Sequence, residues 1–179
     1  MVPDWDPALT QLRELYGNID HEARRLGDAH RERLQCRKGC SSCCVDDINV
    51  FEVEAAHIRR HHTELLAHGE PHEVGMCAFL DGAGGCRIYD SRPYVCRNQG
   101  LPLRWLDQDE SGEWVELRDI CVLNELAPPI AELSADLCWE LGWVEGRLAA
   151  IQDEVDEGKL RRIALRDLFD AEPAGQENS

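Results

Sequence analysis

Four cysteines fall within nine residues, Cys36, Cys40, Cys43 and Cys44 in the stretch CRKGCSSCC. Free cysteine packs as a small hydrophobe, and that habit accounts for two or three scattered thiols in a core. It does not account for four in so short a run. The run holds Gly39 and two serines and no apolar periodicity, so it reads as a loop. A bendable segment rich in soft donors suits a metal: thiolates favour zinc, copper(I) and iron–sulfur clusters over magnesium or calcium. Neighbouring side chains usually diverge, so Cys43 and Cys44 either serve two centres or hold one from a tight turn.

The whole chain has nine cysteines in 179 residues. The start, MVPDWDPALTQLREL, lacks the basic and apolar regions of an export signal, and no apolar run approaches a membrane span. A cytoplasmic location follows as the expectation. Disulfides are disfavoured there, the total is odd, and Cys43–Cys44 can close only a strained ring. The net charge of -16, from 35 acidic and 19 basic residues, argues against nucleic acid or an anionic membrane as partner. Length and the 43% hydrophobic content suit one domain over residues 1–170, and the tail 171–179 reads as disordered.

Leu9, Leu12, Tyr16, Ile19, Ala23 and Leu26 recur at spacings of three and four and predict a helix from Pro7 to about residue 35, with Gly17-Asn18 as a place to break or bend. Ile48 and Val50 suit a short extended piece. A second helix follows with Phe51, Ala55, Ile58, His62 and Leu65 on one face, ended by Gly69 and Pro71. MCAFL and CRIYD flank the turn DGAGG and predict a small β-hairpin. Ser91-Arg92-Pro93 starts a helical turn carrying Cys96. Residues 98–120 read mostly as loop, with a short strand at 114–117. Leu137, Leu141, Val144, Leu148, Ile151 and Val155 predict an amphipathic helix that can run on past Gly158 to Leu168. The fold class expected is mainly α with a small β-hairpin, a loop-rich, metal-stabilised cysteine-cluster domain with its core at about residues 34–125 and the terminal helices packed on it.

Cys77 and Cys86 flank the glycine-rich turn, Cys96 follows within reach, and Cys121 lies beyond a long loop. Eight thiols divide into two four-ligand sites, filled by two zincs, two clusters, or one cluster and another metal. An incomplete shell with an open position is a further arrangement. CRKGCSSCC, then CAFL, then GCRIYDSRPYVCR resembles the YkgJ family of cysteine-cluster proteins, described as zinc- or iron-chelating domains, with the motif CxxCxxCC. The first spacing, three residues between Cys36 and Cys40, is a variant. GLPLRW and then Cys121-Val122-Leu123-Asn124 resemble a branch of that family in which an eighth cysteine precedes a Leu-Asn pair. The resemblance spans roughly residues 34–125. It implies a metal centre with Cys36, Cys40, Cys43, Cys44, Cys77, Cys86 and Cys96 at the main motif positions and Cys121 at the branch position. Flagellin lysine N-methylase is similar in part of its cysteine pattern, but no glycine-rich S-adenosylmethionine-binding motif occurs here.

Arg92 and Arg97 match the RP and CR positions of that motif, and guanidinium groups there can stabilise the residual negative charge of a thiolate-bound cofactor. Arg87 reads as a partner for surface carboxylates, and Tyr89 as packing beneath the hairpin. Cys138 reads as a buried thiol inside the last helix. His57, His61 and His62 read as surface histidines, and Asp46-Asp47 as a solvated pair in so acidic a chain. No serine or cysteine triad and no nucleotide-binding loop is present, and no general base can be identified. The function expected is metal binding through an iron–sulfur centre (4Fe-4S) or zinc, in a metal-stabilised binding or metal-handling module. The alternative is a metal-dependent redox enzyme or an iron–sulfur-dependent modifying enzyme. The expected partner is the metal ion or cluster, with a protein partner also compatible.

Overall fold

The computed structural model describes residues 4–126 and 128–170, so the tail expected to be disordered lies outside the described residues. These residues divide into two compact units that interleave along the chain. Of the described residues, the first draws on positions 4–12, 38–93 and 149–170, the second on 13–37, 94–126 and 128–148.

The first helix, α1 (Asp6–Ala29), supplies residues to both. The Asp4 carboxylate accepts the Asp6 N–H at 3.1 Å and satisfies one of the donors a helix start leaves open. Leu9, Leu12, Tyr16, Ile19 and Leu26 are buried, as their spacing requires. Gly17-Asn18 does not interrupt the helix. It stops short of residue 35 because the next residues are drawn into side-chain bonds of the second unit. A ring nitrogen of His30 lies 2.7 Å from Leu137 O, and the buried Arg33 guanidinium donates to the carbonyls of Asn124 and Pro128.

In the first unit, strand β1 (Asn49–Phe51) leads directly into helix α2 (Glu52–His61), followed by α3 (Thr63–His68). The Glu54 side chain accepts the Phe51 N–H at 3.3 Å, tying down the helix start. The predicted second helix is thus present in two pieces, joined at His62 and ended at Gly69. A Cβ on Gly69 would stand 2.4 Å from Leu65 O, while the Gly69 N–H bonds that same carbonyl at 2.8 Å. Val50, Ala55, Ile58, Phe79, Leu80, Ile88, Leu165 and Leu168 form the core. Each large aliphatic or aromatic side chain buried there contributes about 1.5–3 kcal/mol.

The hairpin predicted between Cys77 and Cys86 is reduced to one isolated bridge, Leu80 with Cys86. Cys77, Ala78, Phe79 and Leu80 are all buried in succession, which an alternating half-buried strand cannot achieve. A turn achieves it, with Leu80 N–H bonded to Cys77 O at 3.0 Å. Beyond it Asp81 grips the glycine loop, its carboxylate accepting the N–H groups of Ala83 and Gly85 at 2.8 and 2.7 Å.

In the second unit, helix α4 (Tyr94–Arg97) carries Cys96. Residues expected to be mostly loop form an antiparallel hairpin, β2 (Leu103–Gln108) with β3 (Trp114–Asp119), in register Leu103 to Asp119 and Gln108 to Trp114. Its alternation is hard to read in the sequence because apolar residues stay in water: Leu106 is 62% and Trp114 68% exposed. The turn is built on Asp109, whose carboxylate accepts the N–H groups of Ser111 and Glu113 at 2.8 and 3.1 Å. Strand β4 (Trp139–Glu140) joins β2 in parallel, with Trp139 N–H bonded to Pro102 O at 2.7 Å.

The last helix also differs from expectation. Leu137 ends a 3-10 turn, Trp139 lies in β4, and α5 begins only at Trp143 and ends at Asp156 (Trp143–Asp156). Gly142 sits before it at φ 107°, a conformation that favours glycine, and its N–H bonds the Glu145 carboxylate at 2.7 Å. After Asp156 the chain passes through left-handed conformations at Glu157, Gly158 and Leu160. It then returns as strand β5 (Arg162–Ala164), antiparallel to β1. Ile163 and Leu168 therefore serve a strand and a 3-10 turn rather than a longer helix. The described architecture is helical with two small sheets and long irregular connections.

Gln152 is fully buried in α5 and ties it to α2 within the first unit. Its Oε1 accepts the Val53 N–H at 2.8 Å, and its Nε2 donates to Asp156 at 2.8 Å. The same Asp156 oxygen accepts the Arg161 N–H at 2.8 Å. Gln152→Ala strands a buried N–H and weakens the hold on a buried carboxylate, so a loss of about 1–3 kcal/mol is expected in denaturant unfolding. Gln152→Glu is expected to be at least as damaging, because it sets a second carboxylate against Asp156.

Candidate metal centre

Five of the eight expected ligands belong to the first unit: Cys40, Cys43, Cys44, Cys77 and Cys86. Their loops approach at backbone distance. Gly39, at φ 87°, opens the cysteine loop, and a Cβ on Gly84 of the DGAGG turn would lie 3.3 Å from its carbonyl oxygen. Cys44 closes a turn onto Ser41 O at 2.9 Å, and its own carbonyl accepts the Cys77 N–H at 2.9 Å. An isolated Val45–Met76 bridge extends that join. Cys44, Cys77 and Cys86 all lie against the hydrophobic core of this unit, with Cys77 buried and the other two half-buried. Cys43 is exposed, and Cys40 is half-buried with its Sγ 3.8 Å from Ser42 Oγ.

One guanidinium organises this region. Arg166 Nε donates to Asp46 at 2.9 Å, while Nη1 and Nη2 reach the carbonyls of His72 and Met76 at 2.8 and 2.9 Å. Asp46 also accepts the Gly75 N–H at 2.9 Å. Asp46 is therefore an ion-paired clamp between the two cysteine-bearing segments and not a solvated carboxylate. Arg166 beside it holds its carboxyl below the usual range.

The thiols differ in acidity. Cys43 is lowered to about 6, chiefly because the Cys44 thiol donates a hydrogen bond to its sulfur. Burial raises Cys77 and Cys86 above the ordinary thiol value. The nearby charges of Arg92 and Arg87 oppose that rise at Cys86. Arg92 also stacks on the Tyr89 ring at 4.0 Å and donates to Tyr89 O at 2.9 Å. Tyr89 is 61% exposed, so it does not pack beneath the turn as expected.

Cys36, Cys96 and Cys121 belong to the second unit. Cys121 precedes the 3-10 turn Val122–Asn124, which buries Asn124 completely. Asn124 Oδ1 accepts the Gln35 N–H at 2.8 Å. Its Nδ2 donates to Gly100 O at 2.8 Å and lies 3.5 Å from Cys36 Sγ. The Leu123-Asn124 pair after Cys121 is the sequence signal for this residue, although nothing in the sequence reveals its partners. Arg97 is buried in α4, donates to both Asp20 oxygens at 2.9 and 2.8 Å, and stacks on Tyr16 at 3.8 Å.

Cys138 is a buried thiol, as expected, but it lies between a 3-10 turn and β4 and not in a helix. His57 is buried and stacks on His61 at 4.3 Å, contrary to the expected surface position. Among the described residues, no group of three or more His, Cys, Asp or Glu stands in the arrangement of a metal site. The donor set nonetheless suits a soft metal: none of the nine cysteines forms a disulfide, and Cys43, lowered to about 6, adjoins a second thiol.

Alkylation at increasing pH, read residue by residue in mass spectra of the reduced, metal-free protein, tests these acidities. Cys43 is expected to reach half of its maximal rate near pH 6. Cys77 and Cys86 are expected to stay unreactive through the range where an ordinary thiol ionises. Cys44→Ala should move the Cys43 midpoint upward.

Residues 35–121 match the family model described as "CxxCxxCC: Putative zinc- or iron-chelating domain". Comparison with curated proteins and with solved structures gives no match. Among the described residues no helix is long and apolar enough to cross a membrane. The matched stretch contains all eight of the clustered cysteines, Cys36 to Cys121, and over that segment the chain is similar to the CxxCxxCC family of cysteine-cluster domains.

Proposed function

We propose that the protein is a metal-binding module in which Cys36, Cys40, Cys43, Cys44, Cys77, Cys86, Cys96 and Cys121 supply the ligands for thiolate-held iron–sulfur, with zinc as the competing occupant. The observation that carries this reading is the joining of two cysteine loops in the first unit. Cys44 and Cys77 are hydrogen-bonded through their backbones, Cys86 lies against the same core, and an acidified Cys43 adjoins Cys44. These segments have little regular secondary structure. A bound metal would convert binding energy into order there, because a preformed site rarely exists in an unfolded chain.

Iron–sulfur clusters are held by thiolates and tuned by nearby charge and hydrogen bonds. Arg92 fits such a role, since its charge already favours the Cys86 thiolate. Arg97 would act more indirectly, by anchoring the short helix that carries Cys96 to Asp20 and Tyr16. The abundance of thiol donors and the absence of an identifiable general base in the sequence support a binding or metal-handling role over catalysis.

Protein purified without oxygen is expected to contain iron and acid-labile sulfide and to absorb broadly in the visible. Zinc without sulfide would select the other occupant, and neither metal in folded protein would overturn the reading. Cys43→Ser should lower metal affinity by more than about tenfold, whereas Cys138→Ala should retain the metal content of the parent. Elemental analysis with a competing chelator measures both variants.

A further inference from the structure

The orientation of the Asn124 amide is fixed by its two ends. Oδ1 accepts the Gln35 N–H at 2.8 Å, and Nδ2 faces the carbonyl oxygen of Gly100 at 2.8 Å. Turning the amide over would set N–H against N–H at one end and oxygen against oxygen at the other. The amide nitrogen has two hydrogens. One is taken by Gly100, and the other is directed at Cys36 Sγ, 3.5 Å away, which must act as the acceptor. A thiolate accepts such a bond better than a thiol does.

Gly100 completes the seat. It lies at φ 89°, and a Cβ there would stand 2.5 Å from Cys36 Sγ and 3.1 Å from Asn124 Nδ2. The sulfur therefore occupies space that every other residue type at position 100 would fill. Arg33 secures the assembly from behind, its guanidinium donating to the carbonyls of Asn124 and Pro128. A fully buried amide with both ends assigned and a glycine shaped to the sulfur is a more specific arrangement than an exposed cysteine needs for packing.

We infer that Asn124 is a positioning residue that seats the Cys36 sulfur for metal ligation, with Gly100 leaving the space that the sulfur occupies. The inference rests on the metal-binding reading above. It adds a residue that touches no metal itself but donates to a ligand's sulfur, which holds the sulfur's direction. Donors of this kind typically matter by ten- to a hundredfold in metal affinity.

Cobalt(II) titrated without oxygen into the reduced, metal-free full chain provides the test, since thiolate-to-cobalt charge transfer reports sulfur ligation directly. Asn124→Asp keeps the acceptor for Gln35 and replaces the donor with an oxygen facing Cys36 and Gly100. It is expected to weaken cobalt binding about tenfold and to reduce the charge-transfer band. Cys36→Ala should do the same, and the double variant should be no worse than Cys36→Ala alone. Gly100→Ala offers a second route should Asn124→Asp not fold: its loss of affinity should be clearly smaller in the Cys36→Ala background, where the methyl group no longer meets the sulfur.

Losses that add in the double variants would show that Asn124 and Gly100 act on the fold and not through the sulfur, overturning the inference. So would an Asn124→Asp protein that binds cobalt as the parent does while Cys36→Ala does not. Cobalt bound to the parent without any charge-transfer band would overturn the thiolate reading itself, an outcome distinct from either of these.

Discussion

Arg166 stands at the turn after β5, and a single side chain there holds together segments that are distant in sequence. Its guanidinium engages the Asp46 carboxylate and the carbonyls of His72, Glu73 and Met76. The segments it clamps include the residues just after Cys44 and just before Cys77, where regular secondary structure is reduced to one bridge. Charge-assisted hydrogen bonds are stronger than neutral ones and suit a place where no ladder supplies order. The Cys44–Cys77 backbone bond lies between the segments that this clamp holds.

The same economy recurs in the second unit with an amide in place of an ion pair. Asn124 binds the segment before Cys36, the turn at Gly100 and the Cys36 sulfur, while Arg33 holds its backbone. Arginines in a strongly acidic chain are often surface partners. Here Arg33, Arg97 and Arg166 are spent on internal order, each satisfying backbone carbonyls or a carboxylate near a cysteine-bearing segment. Arg118 does comparable service at Ile130 and Leu133. The acidity of the chain thus coexists with arginines close to several thiols, and at Cys86 the charges of Arg92 and Arg87 oppose the rise that burial causes.

Much of the candidate site was legible because its evidence is compositional. Eight cysteines with one joint motif announce soft-metal chemistry whatever the chain does between them, and the family match over residues 35–121 agrees. The helices α1 and α2 were legible as well, because burial on one face imposes a period on a long segment, and Leu12, Ile19 and Ile58 are buried where that period puts them. Of the hairpin of β2 and β3, only the short strand at 114–117 was legible. Leu106 and Trp114 remain in water, so neither strand carries a clean alternation, and the turn depends on one carboxylate, Asp109.

The sequence by itself determined the donor chemistry, the loop character of the cysteine run and the helices whose apolar faces persist over several turns. These are properties of residue type and spacing, and they need no partner. Tertiary structure alone decided that Leu137 to Leu141 would leave the helical stripe, because β2 offers Trp139 a place in a sheet and Gly142 permits the turn into α5. It also decided that Asp46 would be a clamp, and that Asn124 would face a sulfur 88 positions away. A hydrogen bond between distant residues leaves no period in either segment, so only the folded chain reveals which polar groups were kept for one another.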